Sequence, residues 1–213
     1  MTTFPAGGID KSTLRTALLA RRAALSAGQR ETASRLIAGA CRSLPGFADA
    51  SIVCSYLSFR DEVDTLELVR DLLAAGRRVA VPAHLHEPGR PLVFSEIISL
   101  EGLEPSHFGV PQPPPAALRP VAAAAIPVFL VPGVGFDPAG NRIGFGLGFY
   151  DRALADAAPT ARRIGLAFEA QITDRLPAEP HDVRMDLVIT EDRVMAAPRG
   201  TDGPHQGGSR HAR

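Results

Sequence analysis

The stretch from 132 to 154, PGVGFDPAGNRIGFGLGFYDRAL, limits the fold more than any other, because an apolar run at 125–131 leads straight into it. That order reads as strand, long glycine-rich loop and then a helix opening at Tyr-Asp-Arg. Gly144, Gly146 and Gly148 alternate, which lets the backbone take positive φ and approach a ligand with no Cβ in the way. Free backbone N–H groups where the loop meets the helix, helped by the helix dipole, make an anion cradle. A purely structural turn is the alternative for such a loop taken alone.

The rest of the chain repeats the alternation. Asp10 can cap a helix opening at Lys11, with Leu14, Leu18 and Leu25 along one face. Lys11 and Arg15 stand four apart on one face and can converge on one anion, whereas Arg21 and Arg22 read as solvated. Ser26 and Gln29 form a capping box for a second helix through about Arg42. Residues 51–57 read as a buried strand ending in an acidic cluster, Asp61, Glu62 and Asp64, of which Asp64 can cap a helix over 65–75 closed by Gly76. Residues 78–82, 92–97, 126–131, 163–168 and 186–190 read as further strands, and 149–157 as a helix. His84 and His86 read as loop histidines. The proline-rich 102–120 segment reads as a rigid connection across a sheet edge, with a polyproline ligand as the alternative. The tail from 197 to 213 is polar and rich in Gly and Pro and is expected to be disordered.

Strands alternating with helices imply an α/β fold, a mostly parallel sheet with helices on both faces. The loops after its strands then lie along one edge, where ligands of open α/β sheets bind. Three segments, Asp61-Glu62, the glycine loop and Phe168-Glu169-Ala170-Gln171, are expected to share one cleft there. Residues 1–196 fit a single domain. Lysine plus arginine balance aspartate plus glutamate at 23 each, which argues against a nucleic-acid binder. No window carries the ~20 apolar residues of a membrane span, and the N-terminus lacks the pattern of a secretory signal. Cys41 and Cys54 read as small buried hydrophobes, so a cytoplasmic protein is expected. Of the 23 basic residues Lys11 is the only lysine, which singles it out.

The ordered set F-D-x-x-G-N-R-I-G-x-G-x-G-F-Y-D-R resembles the diagnostic segment of the 5-formyltetrahydrofolate cyclo-ligase family. Other marks of that family follow the same order: K-x-x-L-R at 11–15, L-S-x-x-D-E at 57–62, F-E-x-Q at 168–171 and P-H-D-V at 180–183. The resemblance covers roughly residues 11 to 192. It implies a Rossmann-like fold similar to that of sugar-phosphate isomerases and CoA transferases. It also implies an ATP- and Mg²⁺-dependent closure of 5-formyltetrahydrofolate to 5,10-methenyltetrahydrofolate, by a monomer.

The resemblance further assigns roles. Lys11, Arg15 and Arg142 are the catalytic cations and bind ATP together with Gly144, Gly146, Gly148, Phe149 and Tyr150. Leu57, Glu62, Phe145, Leu147 and Tyr150 contact the folate, and Asp151 and Asp182 hold Mg²⁺. Phe59 is a further aromatic candidate for a ring, while Phe136 and Phe168 read as core. Two positions depart from the pattern: relatives often carry Lys or Gly at 147 and Tyr at 149. Competing readings are a non-catalytic folate- or nucleotide-binding regulator, a sugar-phosphate isomerase, and a protein-binding module using the prolines.

Overall fold

The computed structural model describes residues 10–84 and 92–198. Helix α1 (Lys11–Ala23) starts where expected, because Asp10 Oδ1 accepts from the Ser12 and Thr13 amides at 2.7 and 3.0 Å. The Ser26–Gln29 capping box likewise opens α2 (Ala27–Arg42). Strand β1 (Val53–Ser55) precedes α3 (Leu66–Ala74), whose Leu66 amide is taken by Asp64 Oδ1 at 2.9 Å. Next come β2 (Val79–His84), β3 (Leu92–Ile97), and the short strands β4 (Glu104–Pro105), β5 (Pro111–Gln112) and β6 (Pro120–Val121). After β7 (Val128–Pro132) the chain forms β8 (Gly135–Phe136), β9 (Arg142–Ile143) and α4 (Phe149–Ala155). Strands β10 (Arg162–Leu166), β11 (Leu187–Ile189) and β12 (Val194–Ala196) complete it.

The main sheet has the order β12-β11-β10-β7-β1-β2-β3-β6, with five central strands parallel. Its flanks are antiparallel: β3 and β6 on one side, β12 on the other. The connections from β2 to β3 and from β11 to β12 are too short for a crossover, so those strands turn back as hairpins. Strand β12 is not anticipated by the sequence reading. The proline-rich segment bears out its reading as an edge connection, since it ends in β6 against the outer side of β3. His86 and most of the expected tail lie outside the described residues.

Both sheet faces are apolar, and alternate residues of a strand enter different cores. Val128 and Leu130 of β7 pack with Ile37 and Cys41 of α2 and with Leu68 and Val69 of α3. Phe129 and Val131 pack on the opposite face with Leu154 of α4. Gly165 of β10 points to that second face, and a Cβ there would meet the Phe136 ring at 2.5 Å. Cys41 and Cys54 are buried, and burial pushes the Cys41 thiol up to about 12. Helix α1 stays off the sheet. Its Leu14 and Leu18 pack on Val134, Ile143 and Leu176, so α1 lies against the glycine-rich segment.

Strand order explains where a ligand fits. From β1 the chain builds outward through β2 and β3, then returns to lay β7 on the other side of β1 and builds the opposite way. The carboxyl ends of β1 and β7 therefore diverge at a topological switch point, where open α/β sheets leave a crevice.

Candidate active site

A cleft of about 800 Å³ opens at that point, lined by every residue to which the resemblance assigns a role. One wall is the segment after β7. Its first part is a structural hairpin, not open loop: β8 pairs with β9, and Asp137 closes the turn. Asp137 Oδ1 accepts from the Ala139 and Asn141 amides at 3.0 and 2.9 Å, and Oδ2 from Asn141 Nδ2 and the Leu176 amide. A Cβ on Gly140 (φ +81°) would sit 2.3 Å from the Met185 carbonyl oxygen. The F-D-x-x-G-N part of the motif is thus accounted for by folding.

The cradle proper is Gly144 to Gly148. Gly146 (φ +96°) and Gly148 (φ +62°) adopt the left-handed backbone, and Gly148 is the residue from which α4 starts. Gly144 does not adopt it, which corrects the expectation of three alike; a Cβ there would meet only the end of Arg142, at 3.1 Å. The large residues between the glycines, Phe145 and Leu147, stand 60% and 51% exposed at the rim. Arg15 ties α1 to this cradle by donating from Nε to the Gly144 carbonyl at 2.8 Å.

Cations and carboxylates are interleaved across the cradle. Lys11 Nζ donates to Asp182 Oδ2 at 2.8 Å and lies 3.4 Å from Glu179 Oε1. Burial works against the Lys11 charge, but both carboxylates outweigh it and hold its pKa above the ordinary value. Burial likewise pushes Asp182 up, yet the Lys11 bond and the Glu179 amide pull its carboxyl below the usual range. Arg142, with a side chain only 6% exposed, donates to Asp151 Oδ1 at 2.9 Å and lies over the Tyr150 ring at 5.6 Å. The Arg142 Nε is covered and has no partner among the described residues. Asp151 Oδ1 also accepts the Val183 amide at 3.2 Å, which draws the P-H-D-V segment to α4.

The donor set fits a hard divalent cation. Asp182 is grouped with Glu179 and His181, with one ligand atom from each within 4.8 Å of the others. Asp151 Oδ2 and Asp182 Oδ1 make no hydrogen bond among the described residues, so each can turn to a metal. Asp151 is both the partner of Arg142 and the third residue of α4.

The opposite end of the cleft follows β1. Leu57 is buried as an apolar wall, and Tyr56 gives its phenol to the Val63 carbonyl at 2.9 Å. Glu62 Oε2 accepts the Phe59 amide at 3.1 Å, and burial raises the Glu62 pKa against the pull of that amide and of Arg22. Burial also raises Tyr150. Phe149 meets Phe108 edge to face at 5.9 Å.

Several outcomes differ from the sequence reading. The F-E-x-Q segment does not line the cleft. Phe168 is core, and Gln171 Nε2 donates to the Gly133 and Val134 carbonyls at 2.9 and 3.0 Å, bracing the root of the glycine segment from below. Arg22, read as solvated, is 3% exposed and lines the cleft. Its spacing of 7 and 11 residues from Arg15 and Lys11, near whole helical turns, was the overlooked signal. Phe108 and Gln112 reach the cleft from the proline-rich segment, which carried no ligand-directed pattern.

Among the described residues no helix is long and apolar enough to cross a membrane. Residues 8–191 match the model of the 5-formyltetrahydrofolate cyclo-ligase family. A 5-formyltetrahydrofolate cyclo-ligase of Mycolicibacterium smegmatis is 36% identical, over 89% of this chain and 98% of that protein. One from Escherichia coli K12 is 30% identical, over 82% and 96%. The solved 5,10-methenyltetrahydrofolate synthetase of Aquifex aeolicus superposes with a TM-score of 0.78 at 29% identity, covering 94% of this chain and 99% of that one. The chain belongs to the 5-formyltetrahydrofolate cyclo-ligase family.

Proposed function

We propose that this chain converts 5-formyltetrahydrofolate to 5,10-methenyltetrahydrofolate, using ATP and Mg²⁺ and releasing ADP and phosphate. The observation that carries the reading is the division of one cleft into two chemistries. Around the glycine cradle stand Lys11, Arg15 and Arg142 with Asp151 and Asp182; Leu57 and Glu62 stand on the wall after β1, and Tyr150 lies between the two groups, under Arg142.

The formyl oxygen attacks the γ-phosphorus as the bond to ADP breaks, leaving an imidate phosphate. N10 then attacks the activated carbon, gives up its proton, and the carbon–oxygen bond breaks to release phosphate. Phosphoryl transfer needs positioning and charge neutralisation more than covalent help. Arg15 and Arg142 can fork onto phosphate oxygens, and Lys11 supplies a movable point charge. The amides of the Gly146–Gly148 turn add donors of fixed direction. Asp151 and Asp182 would hold Mg²⁺, which when bound neutralises phosphate charge. Phe145 and Leu147 offer apolar surface at the rim, and with Leu57, Glu62 and Tyr150 they contact and orient the folate. One chain supplies all of these groups, which supports a monomer, and the free buried thiols of Cys41 and Cys54 support a reducing, cytoplasmic setting.

The test is absorbance of the methenyl product from purified full chain, 5-formyltetrahydrofolate and Mg-ATP. Product is expected only with nucleotide and divalent metal together. Equal turnover in EDTA, or without ATP, contradicts the reading.

A further inference from the structure

Helix α1 presents a stripe to the cleft in which Lys11, Arg15, Leu19 and Arg22 follow one another at helical spacing. Lys11 and Arg15 reach the glycine cradle and the P-H-D-V segment. Arg22 lies two turns beyond Arg15 and three beyond Lys11, about 10 and 16 Å along the axis at 1.5 Å per residue, beside the loop after β1. Its guanidinium is almost fully covered, with a side chain 4% exposed. Its pairing is nevertheless sparse: Nε donates to Asp61 Oδ2 at a long 3.4 Å, and Nη1 is enclosed with no partner among the described residues. A buried cation held this loosely is costly to folding. Nothing in the packing of α1 requires a charge there, since Leu14 and Leu18 supply the apolar contacts.

What Arg22 faces explains the arrangement. Asp61 and Glu62 are consecutive carboxylates on one turn, and both are half-buried. The groups acting on Glu62 are few. Arg22 reaches it from α1, Asp61 from its own loop, Tyr56 from the end of β1 and Tyr150 from α4. The Tyr56 hydroxyl is committed to the Val63 carbonyl, and both phenols stay neutral because burial raises them. The Phe59 amide is the one backbone donor to Glu62 among the described residues. Arg22 is thus the cation that offsets this pair of carboxylates.

We propose that Arg22 is a positioning residue for the folate: its buried guanidinium fixes the Asp61–Glu62 turn against α1 and balances the two carboxylates where the substrate docks. The inference rests on the reading of Glu62 as a folate contact. Glu62 holds N–H groups of the substrate most strongly as an anion, because its charge strengthens each bond. Burial and the Asp61 charge both favour its proton, while Arg22 and the Phe59 amide oppose them. Without Arg22 the turn loses its anchor and Glu62 holds its proton to higher pH. Helix α1 then serves both halves of the reaction, Lys11 and Arg15 toward phosphates and Arg22 toward folate.

The experiment compares Arg22→Met, Arg22→Lys, Glu62→Gln, Asp61→Asn and the Arg22→Met/Glu62→Gln double variant in the full chain. KM is measured separately for 5-formyltetrahydrofolate and for ATP, and kcat/KM for the folate is followed against pH. Arg22→Met is expected to raise the folate KM about tenfold or more while the ATP KM stays within about twofold. The acid limb of its folate profile moves to higher pH, and Arg22→Lys recovers most of both effects. Asp61→Asn, which removes the repelling charge, moves the limb to lower pH. In the Glu62→Gln background, Arg22→Met adds nothing further to the folate KM. A folate KM and acid limb unmoved by Arg22→Met, even with a lowered melting temperature, overturns the proposal. So does an equal rise in both KM values. If Arg22→Met does not fold, an acid limb in Asp61→Asn that stays put or rises is the overturning result. A Glu62→Gln variant with normal folate KM removes the Glu62 assignment and this inference with it; an impaired Glu62→Gln beside a silent Arg22→Met removes the inference alone.

Discussion

Glu62 is held where the fold would rather have it neutral. Its pKa is raised by burial, so ionising it costs folding free energy. A carboxyl raised in the folded state contributes no penalty below its unfolded pKa and the full penalty once pH passes its folded pKa. Glu62→Gln keeps the oxygen that accepts the Phe59 amide and removes the charge. The variant should therefore melt at higher temperature than the parent at neutral pH, with the difference shrinking toward acid, while its folate KM rises. Melting curves across pH check this; a variant less stable at neutral pH than the parent contradicts it. The two aspartates separate by partner. Asp151 pairs with Arg142, whose side chain is 6% exposed, so Asp151→Asn should cost roughly 3 kcal/mol or more of stability by leaving a buried cation unbalanced. Asp182 pairs with Lys11 at 27% exposure, and Asp182→Asn should cost no more than about 1 kcal/mol. Both should raise the Mg²⁺ needed for half-maximal rate. Chemical denaturation alongside a Mg²⁺ titration reads the two effects; equal stability losses, or unchanged Mg²⁺ dependence, would contradict this division.

The glycine segment divides into a hairpin that folds and a turn that lines the cleft. Gly146 and Gly148 hold positive φ, where a side chain costs about 1–2 kcal/mol, and both face the cleft. Gly146→Ala and Gly148→Ala should cut turnover about tenfold or more through a raised ATP KM. Gly144→Ala, with ordinary φ and only the flexible end of Arg142 nearby, should cost far less. ATP KM values for the three variants decide it, and a Gly144→Ala defect as large as the other two would sink the distinction. Legibility in the sequence follows the same division. Local signals worked: the caps at Asp10 and Ser26 and the strand at Leu92–Ile97 follow from short-range chemistry. What escaped was either masked by local composition or set by contacts distant in sequence. The β8–β9 hairpin hid among glycines that looked alike, and Gln171 acts 37 and 38 residues from the carbonyls it braces. Arg22 carries the same side chain as its neighbour Arg21, and the loop after β1 returns to pair it with Asp61.

At the scale of the molecule, strand order does what no single motif can. Placing β7 beside β1 opens the crevice, and docking α1 on the β8–β9 hairpin, away from the sheet, lays its cations along the crevice. The glycine turn and the loop after β1 are then walls of one cleft, as the proposed transfer between two bound substrates requires. The central claim is that the formyl oxygen itself is phosphorylated in that cleft. The direct measurement uses 5-formyltetrahydrofolate carrying ¹⁸O in the formyl group, with unlabelled ATP, Mg²⁺ and the full chain. Mass analysis of the released phosphate should find the label there, transferred as the methenyl bridge forms. Unlabelled phosphate accompanying methenyl product would contradict the account.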